Sequence, residues 1–391
     1  MASFQKYKTK NKGELWLFKL DVGKDPQSGD RKTTTRRGFK TKKEAQMAAS
    51  KLEQEVFNGE YIPDTGITFS EYVPIWMKHY KSVVKISTFD LRVRMTEILK
   101  KYFSALKMND ITKKHYQSML DDLTEKYAHN SLSIIHSTGN LIFKKALEDG
   151  IIKKDPTEFT HIKKKNKTLD DLDDIELPKF LEKSELIEFL NIAKKRCDHE
   201  VYSIFLLLAY SGLRIGELLA LKWSDIDLVK KTISITKTCY FPKNKITDYV
   251  LLPPKTKASK RIVIVDDEII NNLKKHIDNQ NTIISAAGEH IYKNNGFVFT
   301  SKKYPGYPFG KVTVEYFMKQ ILLNSKIDKN ISPHSLRHTH VTLMAEADIS
   351  LFEIMDRLGH DDDEVTKRIY LHVTKTKRES ASRKFFEFMK E

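Results

Sequence analysis

The chain has 391 residues, 40% of them hydrophobic and 31% charged, enough for packed cores in roughly two to three domains. Sixty-eight Lys and Arg against 52 Asp and Glu give a formal charge of +16, which favours a polyanionic partner, nucleic acid above all. Cys197 and Cys239 are too few for a disulfide framework, and no apolar run reaches the roughly 18 residues of a membrane span; with no signal-peptide core at the N-terminus, the expectation is a protein of a reducing compartment that does not enter a membrane.

Residues 1–43 carry 13 Lys and Arg against four acids. Leu15–Val22 reads as a strand, Gly23–Asp30 as turn chemistry and Arg31–Phe39 as a Thr-rich second strand. Thr41 can cap a helix from Lys43 to Asn58, with Gly59 at its end. A small basic sheet with one helix suits a β-ribbon in the DNA major groove. Arg31, Lys32, Arg36 and Arg37 are its candidate DNA contacts; a solvated charged hairpin is the alternative. Pro63–Gly66 reads as a linker.

Residues 67–160 read as helical. Thr68 precedes a helix with Tyr72, Trp76 and Tyr80 at helical spacing. Ser87 precedes one over Thr88–Leu99, Thr112 one over His115–Lys126, and Asn130 one over Ser131–Glu148. Each opening side chain can accept from an orphan helix N–H. Gly150 and Asp155-Pro156 end the last helix. The expectation is a small all-α domain with its aromatic residues in the core.

Residues 161–177 form a charge-segregated tether: Lys163, Lys164, Lys165 and Lys167, then Asp170, Asp171, Asp173, Asp174 and Glu176. Lys163, Lys164 and Lys165 are candidate DNA contacts. From residue 178 to 391 the pattern reads as helices (184–195, 200–210, 214–221), strands (232–238, 248–252, 261–265) and helices again (266–280, 311–325, 335–346, 350–357). The expected architecture is multidomain: a small basic β-sheet-plus-helix domain over 1–62, an all-α domain over 67–160, a linker over 161–177, and a mixed, mainly α domain over 178–391 with a small antiparallel sheet.

Four segments of this last domain concentrate basic and aromatic residues. In Tyr210–Leu218 an apolar helix stops at Gly212, and a new one begins with Arg214 in its first turn. The helix dipole disfavours a cation there unless an anion also sits nearby. Glu217, three residues on, can orient the guanidinium, or can simply pair with it. Pro253–Arg261 places Lys255, Lys257, Lys260 and Arg261 between two strands, either as solvated surface or as a hairpin tip entering a DNA groove. In Ser332–His340, His334, Arg337 and His338 share a helical face. His334 and His338 have the spacing of an H-E-x-x-H zinc helix, but Ser335 stands where the glutamate would be, and Arg337 puts a fixed cation beside them, so no metal is expected. The fourth segment runs through Leu358-Gly359-His360, an acidic run 361–364, and Ile369-Tyr370-Leu371-His372-Val373. The acids lack calcium-loop spacing and suit the N-terminus of the next helix.

The strings SGLRIGEL, PPKTKASKR, SPHSLRHTH, LGH and IYLHV, in this order across roughly 160 residues, resemble the tyrosine recombinases, the phage- and transposon-type integrases. The upstream layout is similar too: an arm-type DNA-binding domain, a helical core-binding domain, then a catalytic domain. The resemblance implies that Arg214 and Arg337 are the two active-site arginines, His334 and His360 the two histidines, and Tyr370 the nucleophile. The hairpin lysine is Lys255 or Lys257, with Lys255 preferred because Lys-Thr directly after proline looks like the family pattern. Glu217 is then a positioning group. His360 and Tyr370 lie ten positions apart, one more than is common in the family, and the extra acidic residue is placed in a loop.

The implied chemistry suits these residues. An arginine fork matches two phosphoryl oxygens, a tyrosine can attack phosphorus to form a 3′-phosphotyrosyl bond, and a lysine can protonate the leaving 5′ oxygen. Neither ATP nor metal is implied, because the covalent bond keeps the phosphodiester energy. The resemblance also implies double-stranded DNA as partner at core and arm sites, and a homo-tetramer on DNA. An accessory directionality factor is a further candidate partner, and the place of action is the cytoplasm of a bacterial host. The expected function is integration and excision of a mobile element. A Xer-like resolvase, a type IB topoisomerase and a non-cutting DNA-binding regulator stay open as alternatives.

Overall fold

The computed structural model describes residues 2–9, 13–24, 29–59, 61–63, 65–163, 179–254, 256, 258–287, 292–293, 295–359, 364–375, 386 and 389. The chain divides into two compact units, Met1–Asn166 and Lys167–Glu391.

In the first unit, β1 (Ser3–Thr9), β2 (Gly13–Lys24) and β3 (Arg31–Phe39) form an antiparallel sheet in the order β1-β2-β3. β2 alternates Trp16, Phe18 and Leu20 onto one face, and α1 (Lys42–Phe57) covers that face with Ala45, Ala49 and Leu52. Thr41 caps α1 by accepting from the Glu44 N–H at 3.1 Å. Strand β1 was not legible in the sequence. Its apolar residues, Phe4 and Tyr7, stand three apart and break the period of two that marks a strand, so its pairing with β2 defines it.

The helices that follow are α2 (Phe69–Val83), α3 (Ile86–Phe103), α4 (Lys113–Lys126) and α5 (His129–Glu148). Thr68 and Glu71 make a reciprocal capping box on α2, and Thr112 with His115 does the same on α4. Ser87 and Asn130 are not caps, contrary to expectation. Both lie inside helices whose cap positions are Lys85 and Ala128, without side-chain cap bonds. Packing of the buried face outweighs the local preference there. Phe69, Tyr72, Trp76, Phe103, Tyr116 and Phe143 form the aromatic centre of this core, and Tyr80 stacks on Trp76 with ring centroids 4.7 Å apart.

The second unit is built on α6 (Lys183–Arg196) and α7 (His199–Ser211). Val201, Ile204, Phe205, Leu206, Leu207 and Leu208 are all buried, so α7 is apolar around its circumference and sits centrally. A short α8 (Ile215–Leu218) follows; the expected helix to residue 221 closes early as Leu218–Leu221 turn into the core. Strands β4 (Ile226–Asp227), β5 (Thr232–Ile235) and β8 (Arg261–Ile264) make one antiparallel sheet, and β6 (Thr238–Tyr240) and β7 (Val250–Leu252) another. The expected strand 232–238 is thus two strands in different sheets. The break lies at Lys237, whose ammonium turns to Asp225 at 2.5 Å. Helices α9 (Asp267–Ala287), α10 (Lys311–Leu323), α11 (Pro333–Glu346), α12 (Leu351–Leu358) and α13 (Glu364–Lys375) complete the unit. Mainly helical, with small antiparallel sheets, it has the architecture expected from the sequence. Among the described residues no helix is long and apolar enough to cross a membrane.

Candidate active site

Helix α7 ends at Gly212, whose φ of 64° is left-handed and whose missing side chain leaves room for neighbours. A Cβ there would lie 2.7 Å from the His340 ring and 2.8 Å from Leu358. This tight turn delivers Arg214 as the cap residue of α8, one step before the first turn where the sequence put it. Glu217 answers it twice: its carboxylate accepts from the Arg214 backbone N–H at 3.0 Å and from Arg214 Nη1 at 2.8 Å. The intramolecular pair weighed from the sequence therefore exists, yet 36% of the Arg214 side chain stays exposed.

Glu217 is only 4% exposed. It has a second partner, Arg261, the last of the cations for which the sequence suggested either solvated surface or a tip entering a DNA groove. Nη2 of Arg261 donates to Oε2 at 2.9 Å and Nη1 to Oε1 at 3.3 Å. Burial alone would push the Glu217 carboxyl up, but the hydrogen bonds and charges of Arg261 and Arg214 outweigh it and hold the group below the usual carboxylate value.

Arg337 is almost fully buried on the first turns of α11. Its Nη1 donates to the Gly212 carbonyl at 2.6 Å and its Nη2 to the Leu358 carbonyl at 2.8 Å. The first bond ties Arg337 to the turn that carries Arg214; the second ties it to the residue that opens the LGH string. Carbonyl dipoles hold a guanidinium in place without cancelling its charge. His334, one helical turn earlier, is exposed, and its ring meets His338 edge-on at 4.7 Å.

Tyr370 lies on α13, which packs on α11 and α12. It is half-buried against a cluster of Val341, Ala345, Ile354, Leu358 and Ile369. Leu358 thus touches the tyrosine's cluster through its side chain and Arg337 through its carbonyl. Lys255, Lys257, His360 and the acidic positions 361–363 expected to form a loop lie outside the described residues, but Thr256, Ala258 and Gly359 lie within them. Gly359, with φ 66°, closes α12, and a Cβ on it would lie 2.7 Å from the Ala258 carbonyl oxygen. The residue before His360 therefore presses on the shoulder of the lysine-bearing turn. Gly359→Ala combines a left-handed backbone with a backbone clash and should destabilise the chain by at least about 1–2 kcal/mol. An unchanged urea midpoint would show that the turn adapts freely.

His340 was quoted in the sequence string without a role. It is buried between Ala209, whose carbonyl accepts from Nδ1 at 2.9 Å, and Arg357, whose Nε donates to Nε2 at 3.2 Å. Burial, then the charge of Arg357, push its pKa down to about 3, so it stays neutral and acts as a spacer between α7 and α12. Neither His340 nor Arg261 carries a sequence signal that separates a buried polar residue from a surface one.

The four arm cations separate by register. Arg36 pairs opposite Phe18, on the face that α1 covers, and its charge reaches Glu55. Arg37 pairs opposite Leu17, on the other face. Arg31 lies 3.8 Å from Asp21, and both Arg31 and Lys32 are exposed near the start of β3. Lys163 bonds Asp121 at 3.1 Å; Lys164 and Lys165 lie outside the described residues.

Comparison with known proteins agrees with this architecture. Residues 179–377, about half the chain, match the phage integrase family. Residues 3–56 match an arm DNA-binding domain, and 68–124 a phage integrase N-terminal SAM-like domain. The integrase of Staphylococcus phage L54a is 29% identical over 341 residues, 83% of this chain and 94% of that protein. The fold is shared with the Tn1549 transposon integrase in complex with transposon right end DNA, at a TM-score of 0.62 and 21% identity over 81% of this chain and 100% of that one. It is also shared with a lambda integrase tetramer bound to a Holliday junction, at a TM-score of 0.56 and 18% identity over 93% and 94%. An ordered set of active-site strings, a sheet-plus-helix module, a helical module and this family match lead to one conclusion: the chain belongs to the phage integrase family and is a tyrosine-type site-specific DNA recombinase.

Proposed function

We propose that Arg214, Arg337, His334, His360, Tyr370 and a lysine between β7 and β8, Lys255 or Lys257, form the strand-cutting centre, and that the chain integrates and excises a mobile element. The observation that carries this reading is the bond from Arg337 to the Gly212 carbonyl, two residues before Arg214. It joins two guanidinium-bearing segments 125 positions apart, as an anion site with two forks needs.

In this reading a scissile phosphate sits between the two arginines, which hold its non-bridging oxygens as negative charge builds in the transition state. Tyr370 Oη attacks phosphorus while a histidine takes its proton. The Oη–P bond forms, the P–O5′ bond breaks, and the lysine ammonium supplies a proton to O5′. The 5′ hydroxyl of a partner strand later reverses the step on the 3′-phosphotyrosyl bond. Glu217 positions Arg214 and does not react.

The domain assignment is residues 1–62 for arm-type DNA, 67–160 for core-site DNA, 161–177 as linker and 178–391 for catalysis. Separate cores around Phe18 and around Phe103 support the first division. Of the arm cations, Arg37 faces away from α1 and is the best placed for a groove; Arg31, Lys32, Arg36 and the lysines 163–165 complete the DNA-contact set. Arm and core modules on one chain let it bridge two DNA sites by raising effective concentration. A tetramer on DNA, acting in the cytoplasm of a bacterial host with an accessory factor setting direction, completes the reading.

The test is to trap the covalent adduct on a nicked core-site duplex, digest it and sequence the DNA-linked peptide. Tyr370 is the expected attachment point; an adduct on any other residue overturns the assignment.

A further inference from the structure

Arg261 opens β8, immediately after the lysine-bearing turn, and only 6% of its side chain is exposed. A buried guanidinium must find acceptors for its donors. Arg261 finds them in three separate segments. Both oxygens of Glu217 accept from it. The Ser259 carbonyl accepts from Nη1 at 3.2 Å, and the Arg357 carbonyl accepts from Nε at 2.8 Å.

Each of these segments carries a residue of the proposed centre. Glu217 holds Arg214. Ser259 closes the turn that bears Lys255 and Lys257. Arg357 stands three positions before His360. The contact is tight, since a Cβ on Gly359 would lie 3.0 Å from Arg261 Cδ. A planar fork can satisfy a carboxylate and two carbonyls at once, whereas an ammonium cannot match that geometry.

We propose that Arg261 is a positioning residue that sets the lysine-bearing turn against the LGH turn and Arg214, and thereby controls proton delivery to the leaving 5′ oxygen. This rests on the assignment of Lys255 or Lys257 as the general acid. A buried ion pair that merely stabilised the fold would slow cleavage of every substrate alike. A positioning role selects against substrates whose leaving group needs a proton.

The experiment compares full-length wild type, Arg261→Ala, Arg261→Lys, Lys255→Ala and Lys257→Ala in single-turnover cleavage of nicked core-site duplexes at saturating DNA. One duplex carries the natural 5′ oxygen at the scissile phosphate, the other a bridging 5′ sulfur, which leaves as a thiolate without protonation. The Arg261 variants are expected to lower the oxygen-to-sulfur rate ratio by about tenfold or more, in the same direction as the general-acid lysine variant, with core-site affinity near wild type. If Arg261→Ala does not fold, Arg261→Lys, which keeps the charge, decides. A wild-type ratio in the folded Arg261 variants, with a fall in one lysine variant, overturns the role of Arg261 alone. A wild-type ratio in both lysine variants overturns the general-acid assignment, and this proposal with it.

Discussion

Tyr370→Phe is expected to cut covalent strand cleavage by on the order of 10⁴-fold or more while leaving the fold and core-site affinity near wild type. The substitution removes one oxygen and keeps the ring. That ring is part of how α13 docks, since Tyr370 packs against the Val341, Ala345, Ile354, Leu358 and Ile369 cluster. Phe fills the same space, so the stability change should stay near about 1 kcal/mol, the scale of one polar contact. The separation of the two effects is what makes the variant informative. Cleavage of a nicked duplex on a denaturing gel, beside a gel-shift titration of the same duplex, measures both. Adduct formation within tenfold of wild type would remove Tyr370 from the chemistry.

Arg337→Ala is expected to lose both chemistry and stability, and Arg337→Lys mainly chemistry. Arg337 donates to the carbonyls of Gly212 and Leu358, which lie in the core of the unit. Truncation leaves both acceptors short of a partner, at about 1–3 kcal/mol for each buried group. A lysine keeps the charge but presents a point donor to a place shaped for a fork, and cannot span both carbonyls and a phosphoryl oxygen. Loss of one preorganised donor costs about 10²- to 10³-fold in rate. Single-turnover cleavage by Arg337→Lys at saturating DNA, with a urea melt of each variant, checks this. Cleavage by Arg337→Lys within fivefold of wild type would mean that the fork plays no part in holding the phosphate.

These two side chains also show how far a linear reading goes. The resemblance points to Arg337 and Tyr370 because the matching strings carry residue types at short local spacing. The caps Thr41, Thr68 and Thr112 are equally local, since a cap bond spans three residues and needs no tertiary context. Strand β3 was bounded at Arg31 and Phe39 because turn chemistry flanks it. Where the signal is that local, order along the chain suffices.

The rest depended on residues distant in sequence. Glu217 and Arg261 are 44 positions apart, and Arg337 and Gly212 are 125 apart. Nothing in the string PPKTKASKR separates its last cation, only 6% exposed, from the lysines before it. Charged residues are exposed by default, so a buried one is found only when its partner comes from elsewhere. The same holds for β1, defined by pairing with β2, and for Arg36 and Arg37, neighbours in the chain that register sends to opposite faces. Residue types and short-range spacing were enough to name the chemistry. Which groups grip one another depended on how α7, α11 and the segment from β7 to β8 pack; that segment links two different sheets and is not the hairpin that the sequence suggested, and hydrogen bonds between distant segments are created by burial and leave no periodic trace in the sequence.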